Sequence, residues 1–181
     1  MLDLNSLIPE IYKTAVDHGF WEGERSVAEI TNLIHSELSE VLEEARNGRK
    51  LNEVYYECQN GCMCENKHTN QHKPCGIPVE LADVIIRVLD WHGKRNYKFE
   101  KNEIDNLENL ELNDLIADCH DYITTSYINN ETSEFGCDYF LDTCISIILD
   151  FCEINSIDIE SAIIQKMEYN KNREWKHGKK F

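Results

Sequence analysis

Glu37 and Glu40 in "ELSE", and Glu80 and Asp83 in "ELAD", form two pairs of carboxylates three residues apart. Three residues is close to one helical turn, so each pair projects from a single helix face, where like charges repel. The first pair is set among leucines, and the second sits in a run that is apolar nearly all round, from Val79 through Leu81, Val84, Ile85, Ile86, Val88, Leu89 and Trp91. Four carboxylates from two antiparallel helices can converge inside a bundle, and their repulsion disappears when hard divalent cations sit between them. Oxygen-only ligands suit Mg²⁺ or Mn²⁺, which keep positions open for water and phosphate oxygens. The chemistry open to such a site is hydrolysis of a phosphoanhydride. The plainer reading is acids on solvated helix faces of a Glu-rich chain.

The C-terminal stretch "KMEYNKNREWKHGKKF" supplies the opposite charge. Lys166, Asn170 and Arg173 fall at i, i+4 and i+7, so an ammonium, an amide and a planar guanidinium share one helical face and can converge on one polyphosphate. A basic helix end that complements the helix dipole is the competing explanation.

These residues need helices to hold them, and the apolar periodicity is helical throughout. A first helix is expected over about residues 5 to 18, ending at Gly19. A second opens with the capping box of Ser26 and Glu29 and ends near Asn47 or Gly48. A third starts at Pro78 and leaves at Gly93. No alternating run bounded by turn signals reads as a strand, so the fold class is all-α, a single domain over residues 1–181. Lys plus Arg total 18 against 34 Asp plus Glu, a formal charge of −16. Such a chain repels a nucleic-acid polymer, whereas a small phosphorylated ligand bridged by divalent cations is still open to it. The start of the chain lacks the basic, apolar and small-residue order of a secretion signal, and no window reaches the roughly 18 to 20 apolar residues of a membrane span. A soluble, cytoplasmic protein is expected. Its eight cysteines are then thiols or metal ligands rather than a disulfide framework.

Together "ELSE", "ELAD", "KMEYNKNREWKHGKKF" and the N-terminal "DHGFWEGER" resemble the MazG-like nucleotide pyrophosphohydrolases, of the all-α NTP pyrophosphatase superfamily. The resemblance covers residues 1–50, 74–93 and 156–181. It implies a MazG-like helical bundle that hydrolyses a nucleoside triphosphate between the α and β phosphates. Glu37, Glu40, Glu80 and Asp83 would then hold Mg²⁺, with one carboxylate orienting the water. Lys166, Asn170 and Arg173 would bind phosphates, joined by Lys176 and Lys179, and Phe20 or Trp21 would stack on the base. A homodimer is also implied.

Two segments depart from that pattern. Residues 52–76 lengthen the connection between the acidic motifs and carry Cys58, Cys62, Cys64, His68, His72 and Cys75. Four of these could hold a structural Zn²⁺ that staples a polar loop, although their spacing is not that of a standard zinc finger. Residues 99–155, between the first helical half (1–98) and the basic helix and tail (156–181), read as a degenerate second copy. "LIADCHDY" parallels "LIHSELSE", and "LDTCISIILDF" parallels "LADVIIRVLDW". In that alignment Cys119 and Tyr122 replace the first acidic pair, and Phe140 and Thr143 the second. A fused copy could stand in for one partner of the dimer. A di-iron bundle would add a Glu-x-x-His pair on its helices, and here that spacing occurs only at Glu65 and His68 in the loop. A phosphoribosyl-ATP pyrophosphohydrolase would share the metal site. The remaining alternative is a non-catalytic helical module that binds nucleotides or a protein, with the zinc-stapled loop as recognition element.

Overall fold

Local signals set most helix ends. The computed structural model describes residues 2–57, 63–64, 72–105, 107–129 and 136–173. Helix α1 (Leu4–Asp17) ends where Gly19 takes a left-handed φ of 74°, and the Phe20 N–H reaches back to the Ala15 carbonyl at 2.9 Å. That closing turn is one only glycine adopts cheaply. Helix α2 (Val27–Arg46) opens on the expected capping box. Ser26 Oγ accepts from the Glu29 N–H at 3.2 Å, and Glu29 Oε2 accepts from the Ser26 N–H at 2.8 Å. Its buried stripe is Ile30, Ile34, Leu38 and Val41.

Helix α3 (Ile77–Arg95) does not leave at Gly93 as expected; it runs on until Asn96 takes a left-handed φ of 55°. Gly93 serves packing instead. A Cβ there would lie 2.5 Å from Tyr12 Cβ of α1 and 3.4 Å from Ile8 Cγ2. Alanine would gain about 1 kcal/mol in helix propensity, but overpacking costs about 1–3 kcal/mol. Gly93→Ala is therefore expected to lower the urea midpoint, the reverse of what an exposed helix would give.

Beyond α3 come α4 (Leu112–Ile128), α5 (Gly136–Ile154) and α6 (Ile159–Lys171). Within the segment 99–155 expected to be a second copy, the first helix begins at Leu112. Helix α3 packs against α1, α2, α5 and α6, and α4 fills the space between α2 and α5. The core is one continuous cluster drawn from all six helices. The chain is predominantly helical, and no described helix is long and apolar enough to cross a membrane.

One element escaped the sequence. Strands β1 (Tyr55–Glu57), β2 (Met63–Cys64) and β3 (Lys73–Cys75) form an antiparallel ribbon in the order β2-β1-β3 at the root of the Cys/His segment. Strands of two or three residues are too short for alternation to register. The ribbon is anchored by Tyr56, whose hydroxyl donates to Gln165 Oε1 of α6 at 2.5 Å, and by Tyr55, whose hydroxyl donates to Glu44 Oε1 of α2 at 2.9 Å. At its junction with α3, Gly76 has φ 115°, and a Cβ there would fall 2.1 Å from the Glu53 carbonyl oxygen.

Helices α2 and α4 also meet through His35 and His120, whose Nδ1 atoms are 2.7 Å apart, with Thr124 Oγ1 3.4 Å from His35 Nε2. One Nδ1 must donate and the other accept, so the contact needs at least one neutral ring. Burial lowers both pKa values, and for His35 the charge of His120 adds to it. The unfolded chain therefore binds protons more readily near pH 6.5, and stability falls as the pH drops below that value. Urea titrations between pH 7.5 and 5 are expected to show this fall, and His120→Gln to flatten it.

Candidate functional site

Three of the four paired carboxylates and the basic helix meet at one cavity of about 200 Å³. Glu37 and Glu40 reach it from α2, Asp83 from α3, and Lys166 and Asn170 from α6, with Arg173 just past the end of that helix. Glu80 is 2% exposed, one turn before Asp83. The predicted acidic and cationic groups are thus neighbours, separated in sequence by most of the chain.

Each acidic pair sends one carboxylate to a cation. Asp83 Oδ2 lies 2.5 Å from Lys166 Nζ, and Glu37 Oε1 lies 2.7 Å from Arg87 Nη2. Burial works against the Lys166 ammonium, yet Asp83 and Glu80 outweigh it and raise its pKa above the usual lysine range. Burial also raises Asp83, with Lys166 opposing. Glu80 is pushed up to about 8 by burial, with Asp83 and Glu40 adding to the effect and Lys166 and Lys73 opposing it. Its Oε2 is buried with no hydrogen-bond partner, and so is Asn170 Oδ1. Of the two, Asn170 lines the cavity and Glu80 lies one helical turn from Asp83, which does; each orphaned oxygen is a cost that a bound cation or hydrogen-bond donor would remove.

The donor set, all carboxylate oxygen, fits a hard divalent cation. As they stand, the side chains pair with cations instead, and among the described residues no group of three or more His, Cys, Asp or Glu is arranged to hold a metal ion. Lys166 and Arg87 stand at oxygens that such an ion would take.

Three of the five Lys and Arg side chains lining the cavity were not expected from the sequence. Arg25, Lys73 and Arg87 line it beside Lys166 and Arg173, a cation-rich wall in a chain of net charge −16. Arg87 was legible, since it falls four residues after Asp83 on the same face. Lys73 was not, because it arrives on β3, the strand no periodicity announced. Trp21 does not line the cavity. Its indole N–H donates to Asp90 Oδ1 at 2.8 Å, and its ring stacks on Trp91 at 6.3 Å between centroids. Phe20 does line it, but the Arg25 and Arg87 guanidinium carbons lie 4.0 and 4.8 Å from its ring centroid, so cations already engage that ring.

Of the loop's metal candidates, Cys58, Cys62 and His68 lie outside the described residues, as does the side chain of Cys64. His72 is half-buried. Cys75 is 2% exposed and its thiol donates to the Lys73 carbonyl at 3.6 Å, with burial pushing its pKa up to about 11. It behaves as a core thiol. Lys176 and Lys179 lie outside the described residues.

Comparison of the chain with protein-family models, with curated proteins and with solved structures found no match.

Proposed function

We propose that the chain is a Mg²⁺-dependent nucleoside triphosphate pyrophosphohydrolase of MazG-like type, releasing the monophosphate and pyrophosphate. The observation that carries this is one cavity in which Glu37, Glu40 and Asp83 face Lys166, Asn170 and Arg173, with the orphaned Glu80 beside them. Carboxylates alone would suit a cation store, and cations alone a phosphate sensor; both around one cavity suit the cutting of a polyphosphate. The choice of the α–β bond rests on the family resemblance.

Glu37, Glu40, Glu80 and Asp83 would hold the metal, which when bound offsets phosphate charge and lowers the pKa of coordinated water. Lys166, Arg173, Arg87 and Asn170 hold the phosphate oxygens by charge and hydrogen bond. One carboxylate orients the attacking water and accepts its proton. Water oxygen bonds to the α phosphorus as the bridging oxygen departs with pyrophosphate.

In this reading α4 and α5 are a degenerate second copy that buttresses the first. Cys119, at the place of Glu37, is fully buried beside the buried Cys144, a dry contact where the first half has charge. A homodimer and a zinc ion in the loop belong to the same proposal. Sedimentation tests the first, and metal analysis the second.

The decisive experiment is product analysis with a panel of nucleoside triphosphates and Mg²⁺, using Glu40→Gln and Asp83→Asn as controls. Monophosphate and pyrophosphate, lost in both variants, are expected. Diphosphate and orthophosphate would refute the cleavage position. Binding without turnover would favour the non-catalytic module.

A further inference from the structure

Asp90 is a buried carboxylate that the phosphate chemistry leaves unused. It is 3% exposed, lines the same cavity as Asp83, and stands seven residues further along α3. At 1.5 Å per residue the separation is roughly 10 Å along the helix axis. That is the kind of span that separates the phosphates of an extended nucleotide from its base.

The two ends of the cavity differ in chemistry. Near Asp83 are Glu37, Glu40, Lys73 and Lys166, groups for metal and phosphate. Asp90 is held by the Trp21 indole and faces Arg87 and Arg25, with Ile86 one turn before it on the same helix and the Phe20 ring, packed on both guanidinium groups, also lining the cavity. Burial of this kind is what a nucleobase requires, and a guanidinium plane such as that of Arg25 stacks on bases as an aromatic ring does.

We propose that the Asp90 end is the base subsite, and that Asp90 accepts a hydrogen bond from an exocyclic amino group of the base. The inference rests on the pyrophosphohydrolase reading and deepens it: the substrates are triphosphates of amino-bearing bases, cytosine, adenine or guanine, in preference to uracil and thymine. Burial raises the Asp90 pKa to about 7, so above that pH the group is a carboxylate that accepts through both oxygens, and the preference is to be read at pH 8. Oδ1 takes the Trp21 indole N–H, which fixes the orientation of the group, and in this reading the second oxygen takes the substrate donor. An amino N–H meets that need. The keto oxygen in the same place on uracil or thymine sets acceptor against acceptor and leaves both unpaired in a buried site, the situation by which polar pockets reject wrong substrates.

The test is kcat/KM for dCTP, dATP, dGTP, dTTP and dUTP with the wild-type protein, Asp90→Asn and Trp21→Phe. The wild type is expected to prefer at least one amino-bearing substrate over both keto substrates by about tenfold or more. Asp90→Asn, which offers a donor as well as an acceptor, is expected to collapse that preference mainly through KM. Trp21→Phe, which removes the orienting donor, is expected to reduce it less. A wild-type preference for dTTP or dUTP overturns the proposal even if the variants do not fold. So does an Asp90→Asn variant that slows all five substrates equally, since Asp90 would then serve only to hold Trp21. If no triphosphate is hydrolysed the pyrophosphohydrolase reading falls separately. Calorimetric titration with CMP, AMP, GMP and UMP then decides the base subsite, tighter binding of an amino-bearing monophosphate supporting it and equal or weaker binding overturning it.

Discussion

Lys166→Met is expected to lower stability by about 3–5 kcal/mol, the cost of leaving one partner of a buried ion pair uncompensated. Lys166 is 2% exposed, and its removal abandons Asp83 at 2.5 Å and the neighbouring Glu80 inside the core. Adding Asp83→Asn to the same chain removes the stranded charge, so the double variant is expected to recover most of the loss. Activity does not follow. On the proposed function, both the single and the double variant lack turnover, because the phosphate cation is missing in both and a proposed metal ligand in the second. A double-mutant cycle by urea denaturation, with product assays on the same four proteins, reads the two effects separately. Full stability in Lys166→Met would mean that the pair is not a structural element.

The second large effect concerns Glu80. Its carboxyl is raised to about 8 by burial, far above the unfolded value near 4.5. Between these two values the unfolded chain has released a proton that the folded chain keeps, so this group makes stability fall as pH rises. Glu80→Gln removes that dependence. The variant is expected to match or exceed the wild type in thermal midpoint, with an advantage that grows from pH 6 to 9 in the absence of divalent cations. On the proposed function, pyrophosphate release by this variant is expected to drop by about a hundredfold or more, as for loss of one preorganised contact to the developing charge. More stable and less active is the signature of a group kept for chemistry. A Glu80→Gln protein that is both destabilised and active would remove Glu80 from the site.

On the proposed function, the same carboxyl would give metal binding a pH dependence. A group protonated at neutral pH must release its proton to become a ligand, so Mg²⁺ affinity is expected to rise with pH toward 8. Calorimetry in buffers of different ionisation enthalpy would detect the released proton.

Much of this architecture was legible because it is local. The capping box at Ser26 and Glu29, the stop at Gly19 and the two carboxylate pairs are all written within four residues of one another, and helices carry such spacing directly into space. The meeting of Lys166 with Asp83 was legible only as a suggestion, since charge complementarity names partners without supplying the fold that joins α3 to α6. What escaped was non-local or very short. Gly93 signals a helix stop by type, and only the approach of Tyr12 reveals that it serves packing. Lys73 enters the cavity on a three-residue strand, below the length at which a pattern forms. Asp90 is by type one more acid in an acidic chain, and only its burial and its indole partner set it apart.

Helix α3 carries Glu80, Asp83, Arg87 and Asp90 and is also the element on which α1, α2, α5, α6 and β3 pack. A site built on the centre of a fold has no private unfolding reaction. Its backbone amides are expected to exchange with solvent only through openings close in free energy to global unfolding, and native-state hydrogen exchange should place Val84 to Leu89 among the slowest positions. Adaptation to ligand then falls to side chains at the cavity wall, above all Lys73 and Arg173, while the helix beneath them stays fixed.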